Sequence, residues 1–356
     1  MKIVKVRSWL QDLDNKRPYT IAFKTVSQVR NAFVEIELEN GIIGLGSGNP
    51  SQYVVGESLD ECIARLQPEN LEFLIGKDIR EIQSLLWRVF NRTPDNPAAR
   101  AALDIALHDA YGQHLGIPVW KYLGRCVKPL ATSVTIGIKN VAETVAETEE
   151  YYGEGFRVIK VKLGLDVEED IERMAKMRER YGDEIIIRID ANQGYDLNTT
   201  IDFFNRTKKY NIELIEQPIA AKAVDEMKSL PAEIREKIAA DESIISAKDA
   251  IRLLDGTRAC EIFNIKLMKC GGIFQGQRIA SIARAADIDL MWGCNDESAV
   301  SITAALNVAY SFPNTKYIDL DGSLDLAKDV VKGGFTIKNG YMEPSDKPGF
   351  GFERID

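Results

Sequence analysis

Two lysines one residue apart, Lys160 and Lys162, sit inside the β-branched run Phe156 to Gly164. Side chains of a strand alternate between faces, so both lysines point the same way. If that strand is buried, two cations are aimed into one enclosed space, which packing alone does not repay. Anionic partners are therefore required. Asp190, Glu216 and Asp241 end three later β-branched runs and are 26 and 25 residues apart. Three acids at neighbouring strand ends repel unless neutralised, and an oxygen-only set selects a hard divalent cation, above all Mg²⁺. Lys266 follows another buried run and should enter from the side opposite Lys162. A metal between two lysines suits removal of the proton next to a substrate carboxylate. Lys162 acts as the base, its pKa lowered by burial and by the adjacent charge of Lys160, and Lys266 waits on the other face as the acid. Returning the proton from that side inverts the carbon. Each residue also has a plainer reading, since a lone acid at a strand end is most often a helix cap and a lone lysine snorkels into water. Their agreement in position and period sets the plainer readings aside for these six. Lys269, beside Gly271-Gly272, keeps the solvated reading.

The elements that hold these residues follow one pattern. Short β-branched runs recur at 131–138, 156–163, 184–191, 212–217, 237–242, 259–267, 287–293 and 317–320, most of them separated by one charged amphipathic helix such as Val167 to Tyr181. Eight such runs at a spacing of about 25 residues describe a parallel barrel, whose chemistry belongs at the C-terminal ends of the strands. No eighth amphipathic helix follows the last run. The barrel is placed at 126–322, with 1–125 as an α+β capping domain completed by 323–356. In the capping domain strands are expected near 2–12 and 28–39, followed by a hairpin turn at Glu39-Asn40-Gly41. Two loops, Arg17 to Lys24 and Ser47 to Gly56, flank this sheet. Ala99 to His114 has helical spacing and stops at Gly116-Ile117-Pro118.

Several functions are excluded by composition. A net charge of −9 without long like-charge runs argues against a nucleic-acid surface. Five scattered cysteines with no CxxC pair, and no apolar leader or long apolar run, point to a reduced cytoplasmic protein without a membrane span. Both histidines, His108 and His114, precede the barrel, so a His base and Ser/His or Cys/His catalysis are unsupported. The glycines from Gly44 to Gly48 open no βαβ helix, which removes a dinucleotide site. Asp319 and Asp321 share a face at the eighth strand, although a turn beside Gly322 explains Asp321 as well. Cys294 reads as a small packed thiol.

The motifs Lys160-Val161-Lys162, Asp190-Ala191-Asn192-Gln193-Gly194, Glu216-Gln217-Pro218, Ala240-Asp241-Glu242-Ser243 and Lys266 to Gly272 together resemble the enolase superfamily, muconate-cycloisomerase-like subgroup. The resemblance implies a modified (β/α)7β barrel lacking its last helix. It also implies Mg²⁺ on Asp190, Glu216 and Asp241, proton transfer by Lys162 and Lys266 through an Mg-stabilised enediolate, and Lys160 as an electrostatic aid. Within the subgroup, Asp319-Leu320-Asp321 resembles the acidic pair by which dipeptide epimerases hold the substrate's α-ammonium. Thr135, Asn192, Cys294 and Glu297 join the substrate-binding set; in the segment Gly293 to Ser298, Asn295 replaces an expected apolar residue. Lys24 stands where L-Ala-L-Glu epimerases place an arginine, with an exposed loop lysine as the equal alternative. Its neighbours Tyr19, Ile21 and Phe23 suit an apolar side chain. The expected activity is inversion of the C-terminal α-carbon of an L-Ala-L-Xaa dipeptide with small or hydrophobic Xaa, in an enzyme that forms homo-oligomers as its family does. The alternatives are an o-succinylbenzoate synthase, a muconate-type cycloisomerase, an N-acylamino acid racemase, or a non-catalytic dipeptide-binding protein.

Overall fold

Alternating sequence at the N-terminus becomes a three-stranded antiparallel sheet of β1 (Ile3–Ile21), β2 (Lys24–Leu38) and β3 (Ile43–Gly48). The structure, a computed structural model, describes residues 1–21 and 24–355, and the side chains of residues 18–26 lie outside that description. The hairpin between β1 and β2 is longer than the sequence suggested. Pairing continues through Tyr19↔Val26, Thr20↔Thr25 and Ile21↔Lys24, so these residues of the expected loop belong to the ladder. The tighter turn at Asn40-Gly41 is as expected, with Gly41 at φ +85°.

One nearly fully buried helix, Pro97–Leu115, lies across β3. Gly44, Gly46 and Gly48 occupy one face of that strand, and a Cβ on any of them would fall within 2.3 Å of the backbone oxygen of Ala106, Ala102 or Ala98. Alanines four residues apart thus meet glycines two apart, and the small residues serve close packing of helix on strand.

Beyond residue 130 the β-branched runs form β4 (Val134–Ile136), β5 (Val158–Lys162), β6 (Ile186–Asp190), β7 (Ile212–Glu216), β8 (Ile238–Ala240), β9 (Ile262–Lys266), β10 (Asp289–Gly293) and β11 (Thr315–Asp319). They are parallel neighbours in chain order, and a parallel bridge from Thr132 to Ile318 closes the ring. Helices cross between them, and their starts are written locally: Asn140, Asp166, Asp196, Ser246 and Ser298 each accept a first-turn N–H. Among the described residues no helix follows β11. The chain turns instead into short strands, including the hairpin Phe335–Lys338 and Tyr341–Pro344, which bridges to Ala131. The architecture is a modified (β/α)7β barrel with an N-terminal capping domain. Among the described residues, no helix is long and apolar enough to cross a membrane.

Candidate active site

Barrel register brings the charged strand ends together. Lys162 pairs with Asp190 and Asp190 with Glu216 across β5, β6 and β7, while Asp241 lies one residue beyond β8. Lys160 and Lys162 point inward from β5. Lys160 is buried, and its ammonium touches Glu216 Oε2 at 2.7 Å, Asp319 Oδ2 at 2.9 Å and Asp190 Oδ2 at 3.2 Å. Burial alone would discharge this lysine, but the carboxylates of Asp319, Glu216 and Asp190 raise its pKa well above the ordinary value. Asp319 is correspondingly held low against the effect of burial by Lys160 and by a 2.6 Å hydrogen bond from Ser133. The charge of Lys160 is thus matched by three acids. Its first task here is to neutralise them, whereas the sequence suggested tuning of Lys162.

Lys162 is the freer lysine. It donates to Asn192 Oδ1 at 3.5 Å, stands 4.0 Å from Asp190 Oδ2 and keeps 20% of its side-chain surface exposed. Asn192, at φ +45°, also donates its backbone N–H to Asp190 Oδ1 at 2.9 Å, so one left-handed residue orients both groups. Lys266 enters from β9, four strands away around a ring of eight and therefore across the barrel. It donates to Asp241 Oδ2 at 2.7 Å, and despite burial the charges of Asp241 and Glu216 raise its pKa. Gly293, its register neighbour on β10, leaves the room: a Cβ there would lie 3.1 Å from Lys266 Cε and 2.6 Å from Asn264 Oδ1.

The sequence misplaced Lys269. Its side chain is fully buried, and its ammonium bonds to Asp241 Oδ1, to the Asp241 carbonyl and to the Asn264 carbonyl at 3.2 Å. Proximity to Gly271-Gly272 suggested solvent, but the short helix Leu267–Cys270 turns the side chain back under Asp241. Gln217, which the sequence offers only as a member of the motif Glu216-Gln217-Pro218, is a working residue of this loop. Its amide oxygen accepts the N–H groups of Asp241 and Ser243, and its nitrogen donates to Ile219 O and Ser243 Oγ, so it shapes the strand-end loop that carries Asp241.

A cavity of about 770 Å³ opens above these groups between the barrel mouth and the capping domain. It is lined by Lys160, Lys162, Lys266, Thr135, Asn192, Cys294, Asp319 and Asp321 among the expected residues. The three acids Asp190, Glu216 and Asp241 lie beneath the lysine heads and do not line it. As placed, no set of three or more His, Cys, Asp or Glu side chains among the described residues has metal-holding geometry. The donor set nonetheless fits a hard cation. Asp190 Oδ2 and Glu216 Oε2 are buried and within ion-pair range of Lys160, yet neither has a hydrogen bond. Glu242 Oε2 nearby is in the same condition. Buried carboxylate oxygens left without hydrogen bonds are open lone pairs. Asp241 is already engaged by two lysines and would have to share its oxygens.

The remaining acids divide differently from the expectation. Asp319 and Asp321 both line the cavity, but Asp319 is tied to Lys160 and Ser133, which leaves Asp321 as the one of the pair without an ion-pair partner among the described residues. Asp321 accepts the Thr135 N–H at 2.7 Å, and burial, with the charges of Asp319 and Asp325, pushes it up to about 7. Glu297 does not line the cavity: its carboxylate folds back to accept the Asn295 N–H at 2.9 Å. Its neighbour Asp296 lines the cavity in its place, pushed well up by burial and by Asp325 and Asp321. Asp325 also lines it and is pushed up to about 6 by burial and Glu147. None of Asp296, Asp321 and Asp325 forms an ion pair with a described residue, whereas Glu147 is paired with Lys139 and Glu150 with Arg17. Cys294, its thiol raised by burial, accepts the Gly322 N–H and packs against the Asp321 loop. His108, pushed down to about 3 by burial, is neutral and stacks on Tyr122 within the capping domain. Lys24, Tyr19, Ile21 and Phe23 were expected to meet the substrate; these side chains lie outside the described residues.

Opposed lysines over a bed of carboxylates at the mouth of a capped, truncated barrel define an acid/base enzyme of the enolase superfamily. Residues 4–124 match the mandelate racemase / muconate lactonizing enzyme N-terminal domain, and residues 143–355 match the enolase C-terminal domain-like region. The chain belongs to this family and is an isomerase of the racemase and epimerase type. It is 50% identical over the full length of both chains to an L-Lys-D/L-Arg epimerase of Desulforapulum autotrophicum. A hydrophobic dipeptide epimerase of Enterococcus faecalis is 33% identical over 95% of each chain. The solved dipeptide epimerase of Methylococcus capsulatus, complexed with Mg and L-Arg-D-Lys, superimposes with a TM-score of 0.97 at 46% identity and 99% coverage of both chains.

Proposed function

We propose that this protein is an epimerase of cationic dipeptides, inverting the α-carbon of the C-terminal residue in peptides of the L-Lys-L-Arg kind. The observation that carries this reading is the set Asp296, Asp321 and Asp325, three cavity carboxylates without an ion-pair partner among the described residues. An L-Ala-L-Xaa substrate with apolar Xaa brings one ammonium and leaves half-buried Asp296 without an ion-pair partner and half-buried Asp325 with only the looser attraction of Lys16 and Arg17, an unfavourable balance. A peptide with a basic side chain supplies the missing charge. The earlier preference for small or apolar residues gives way to this balance. The names of the relatives at 50% and 47% identity, both L-Lys-D/L-Arg epimerases, support it.

The chain's own residues divide the work as follows. Asp321 holds the α-ammonium and so sets the direction of the peptide, with Thr135 fixing the carboxylate through its N–H. Lys162, lightly bound and partly exposed, removes the α-proton of the L,L substrate. Lys266, kept protonated by Asp241 and Glu216, delivers a proton to the opposite face. Asp190, Glu216 and Asp241 would hold Mg²⁺, as the relatives' complexes suggest, and that cation, when bound, neutralises the charge that grows on the substrate carboxylate as the proton leaves. Lys269 and Gln217 keep Asp241 in place while Lys266 exchanges its proton.

With L-Lys-L-Arg and Mg²⁺ in D₂O, proton NMR should show deuterium entering the C-terminal α-position together with inversion. An apolar dipeptide such as L-Ala-L-Val should react about a hundredfold more slowly, roughly 3 kcal/mol, because it brings no side-chain cation to the cavity acids. No α-deuterium across a set of cationic dipeptides would end the proposal.

The raised Asp321 gives a pH test. Its surroundings are Asp319, Asp325, Asp296, Lys160, Cys294 and the Thr135 N–H, and the carboxylate takes up a proton as pH falls through about 7. Protonation removes the charge that meets the ammonium. Calorimetric affinity for L-Lys-L-Arg should therefore be about tenfold weaker at pH 6 than at pH 8. Equal or tighter binding at pH 6 would assign the ammonium to another group.

A further inference from the structure

The capping helix Pro97–Leu115 buries two charged side chains, Arg100 and Asp104, that meet the barrel at one point. Asp104 accepts the backbone N–H groups of Ile273 at 2.7 Å and Phe274 at 3.1 Å, through separate carboxylate oxygens. Those are the first donors of the helix Ile273–Ala285, whose own N-cap residue, Gly272, has no side chain to offer. An acid from another domain thus caps a barrel helix and meets the positive end of its dipole. The fit is close: a Cβ on Gly272 would lie 2.5 Å from Asp104 Cγ, and one on Gly271 would lie 2.7 Å from Arg100 Cδ. Arg100 reaches the Cys270 carbonyl at 3.5 Å and is anchored to Thr93 and Pro94 on its other side. The turn Leu267 to Gly272 is therefore gripped at its far end by the capping domain. At its near end it carries Lys266, and within it Lys269, the two lysines on Asp241.

We propose that Asp104 is a positioning residue for Lys266: by capping Ile273–Ala285 it fixes the turn that sets where the sixth-strand lysine stands. Lys162, on β5 across the barrel, makes its polar contacts with Asn192 and Asp190 and not with this turn. The proposal rests on the two-base reading above and makes the two faces of the reaction separable. Loss of the Asp104 carboxyl cap should displace Lys266 and leave Lys162 in place.

Asp104→Asn keeps the shape but offers one acceptor for two donors and no charge. With L-Lys-L-Arg in D₂O, its inversion rate should fall about a hundredfold, the loss that a misplacement near 1 Å brings. Deuterium should still enter the α-position of the unreacted L,L substrate at the wild-type rate, and KM should stay within about threefold. Hydrogen exchange of the 267–276 backbone should quicken in the same variant, a readout independent of any substrate. Arg100→Gln, which loosens the other side of the turn, should reproduce the pattern more weakly and serves if Asp104→Asn does not fold. Inversion and α-exchange falling together, or inversion unchanged, would overturn the assignment. Wild-type protein that exchanges without inverting would instead sink the two-base reading, and unaltered backbone exchange at 267–276 would then sink the positioning role separately.

Discussion

Lys266→Ala should stop inversion while α-proton exchange of the L,L dipeptide continues, and Lys162→Ala should stop both. Strands β5 and β9 are four apart in a ring of eight, so their lysines approach a bound α-carbon from opposite faces. Lys162 makes one long hydrogen bond, and Lys266 is held protonated by Asp241 and Glu216. In the L,L direction Lys162 removes the proton and the Lys266 ammonium returns one. Without Lys266, the carbanion is reprotonated by Lys162, whose protons have exchanged with solvent, and configuration is retained. Positioned acid/base groups are worth about 10²–10⁴-fold, and inversion should fall by at least that much. Both variants are clean, because Asp241 keeps Lys269 when Lys266 is removed and Lys162 has no short ion pair to lose. From the L,D epimer the roles reverse: Lys162→Ala should exchange and Lys266→Ala should not. Proton NMR in D₂O reads all four combinations. Wild-type inversion in either variant would exclude two facing bases.

The parts of this site legible in the sequence were those governed by period. Strand alternation put Lys160 and Lys162 on one face, and a repeat of about 25 residues put Asp190, Glu216 and Asp241 at equivalent strand ends, because a barrel repeats its geometry once per βα unit. Pairing choices were not legible, since they depend on side chains far apart in the chain. Asp319 pairs with Lys160, 159 residues away in the chain, while still lining the cavity. Lys269 is buried because a one-turn helix after β9 folds it under Asp241, and flanking glycines suggested the reverse. Between Asp296 and Glu297, adjacent acids on one loop, only the turn of the backbone decides which enters the cavity. The Arg17 to Lys24 segment looked like a loop because Lys16, Arg17 and Pro18 interrupt its apolar pattern. The hairpin absorbs that interruption as a register shift between Asp14 and Tyr19.

The largest effect on stability should come from Lys160→Met, a change that keeps bulk and removes charge. The ammonium lies between 2.7 and 3.2 Å from Asp190, Glu216 and Asp319, all of them buried. Removing it leaves three carboxylates facing one another with little solvent, and unpairing a buried charge costs about 3–5 kcal/mol. Set against a total stability of roughly 5–15 kcal/mol, that is a large fraction, and the melting temperature should drop by about 10 °C. The pH dependence follows from the direction of each shift. In the wild type Asp319 is held below its ordinary pKa, so its contribution is present above that ordinary value and is lost only in acid, whereas Glu216 is pushed up to about 8 by burial and Asp190 against the pull of Lys160 and already costs stability where it ionises. In the variant Glu216 and Asp319 lose the cation that opposes burial, and they destabilise the fold further wherever they must ionise. The gap between wild type and Lys160→Met should therefore be wider at pH 8 than at pH 5. Added Mg²⁺ should recover more of the melting temperature in the variant than in the wild type, because Asp190 Oδ2 and Glu216 Oε2 then lack even the ammonium. Thermal unfolding across pH, with and without Mg²⁺, measures each of these differences. A variant that melts with the wild type at pH 8 would mean that the acids are neutralised by protons, and Lys160 would lose its place as the counter-charge on which the site is built.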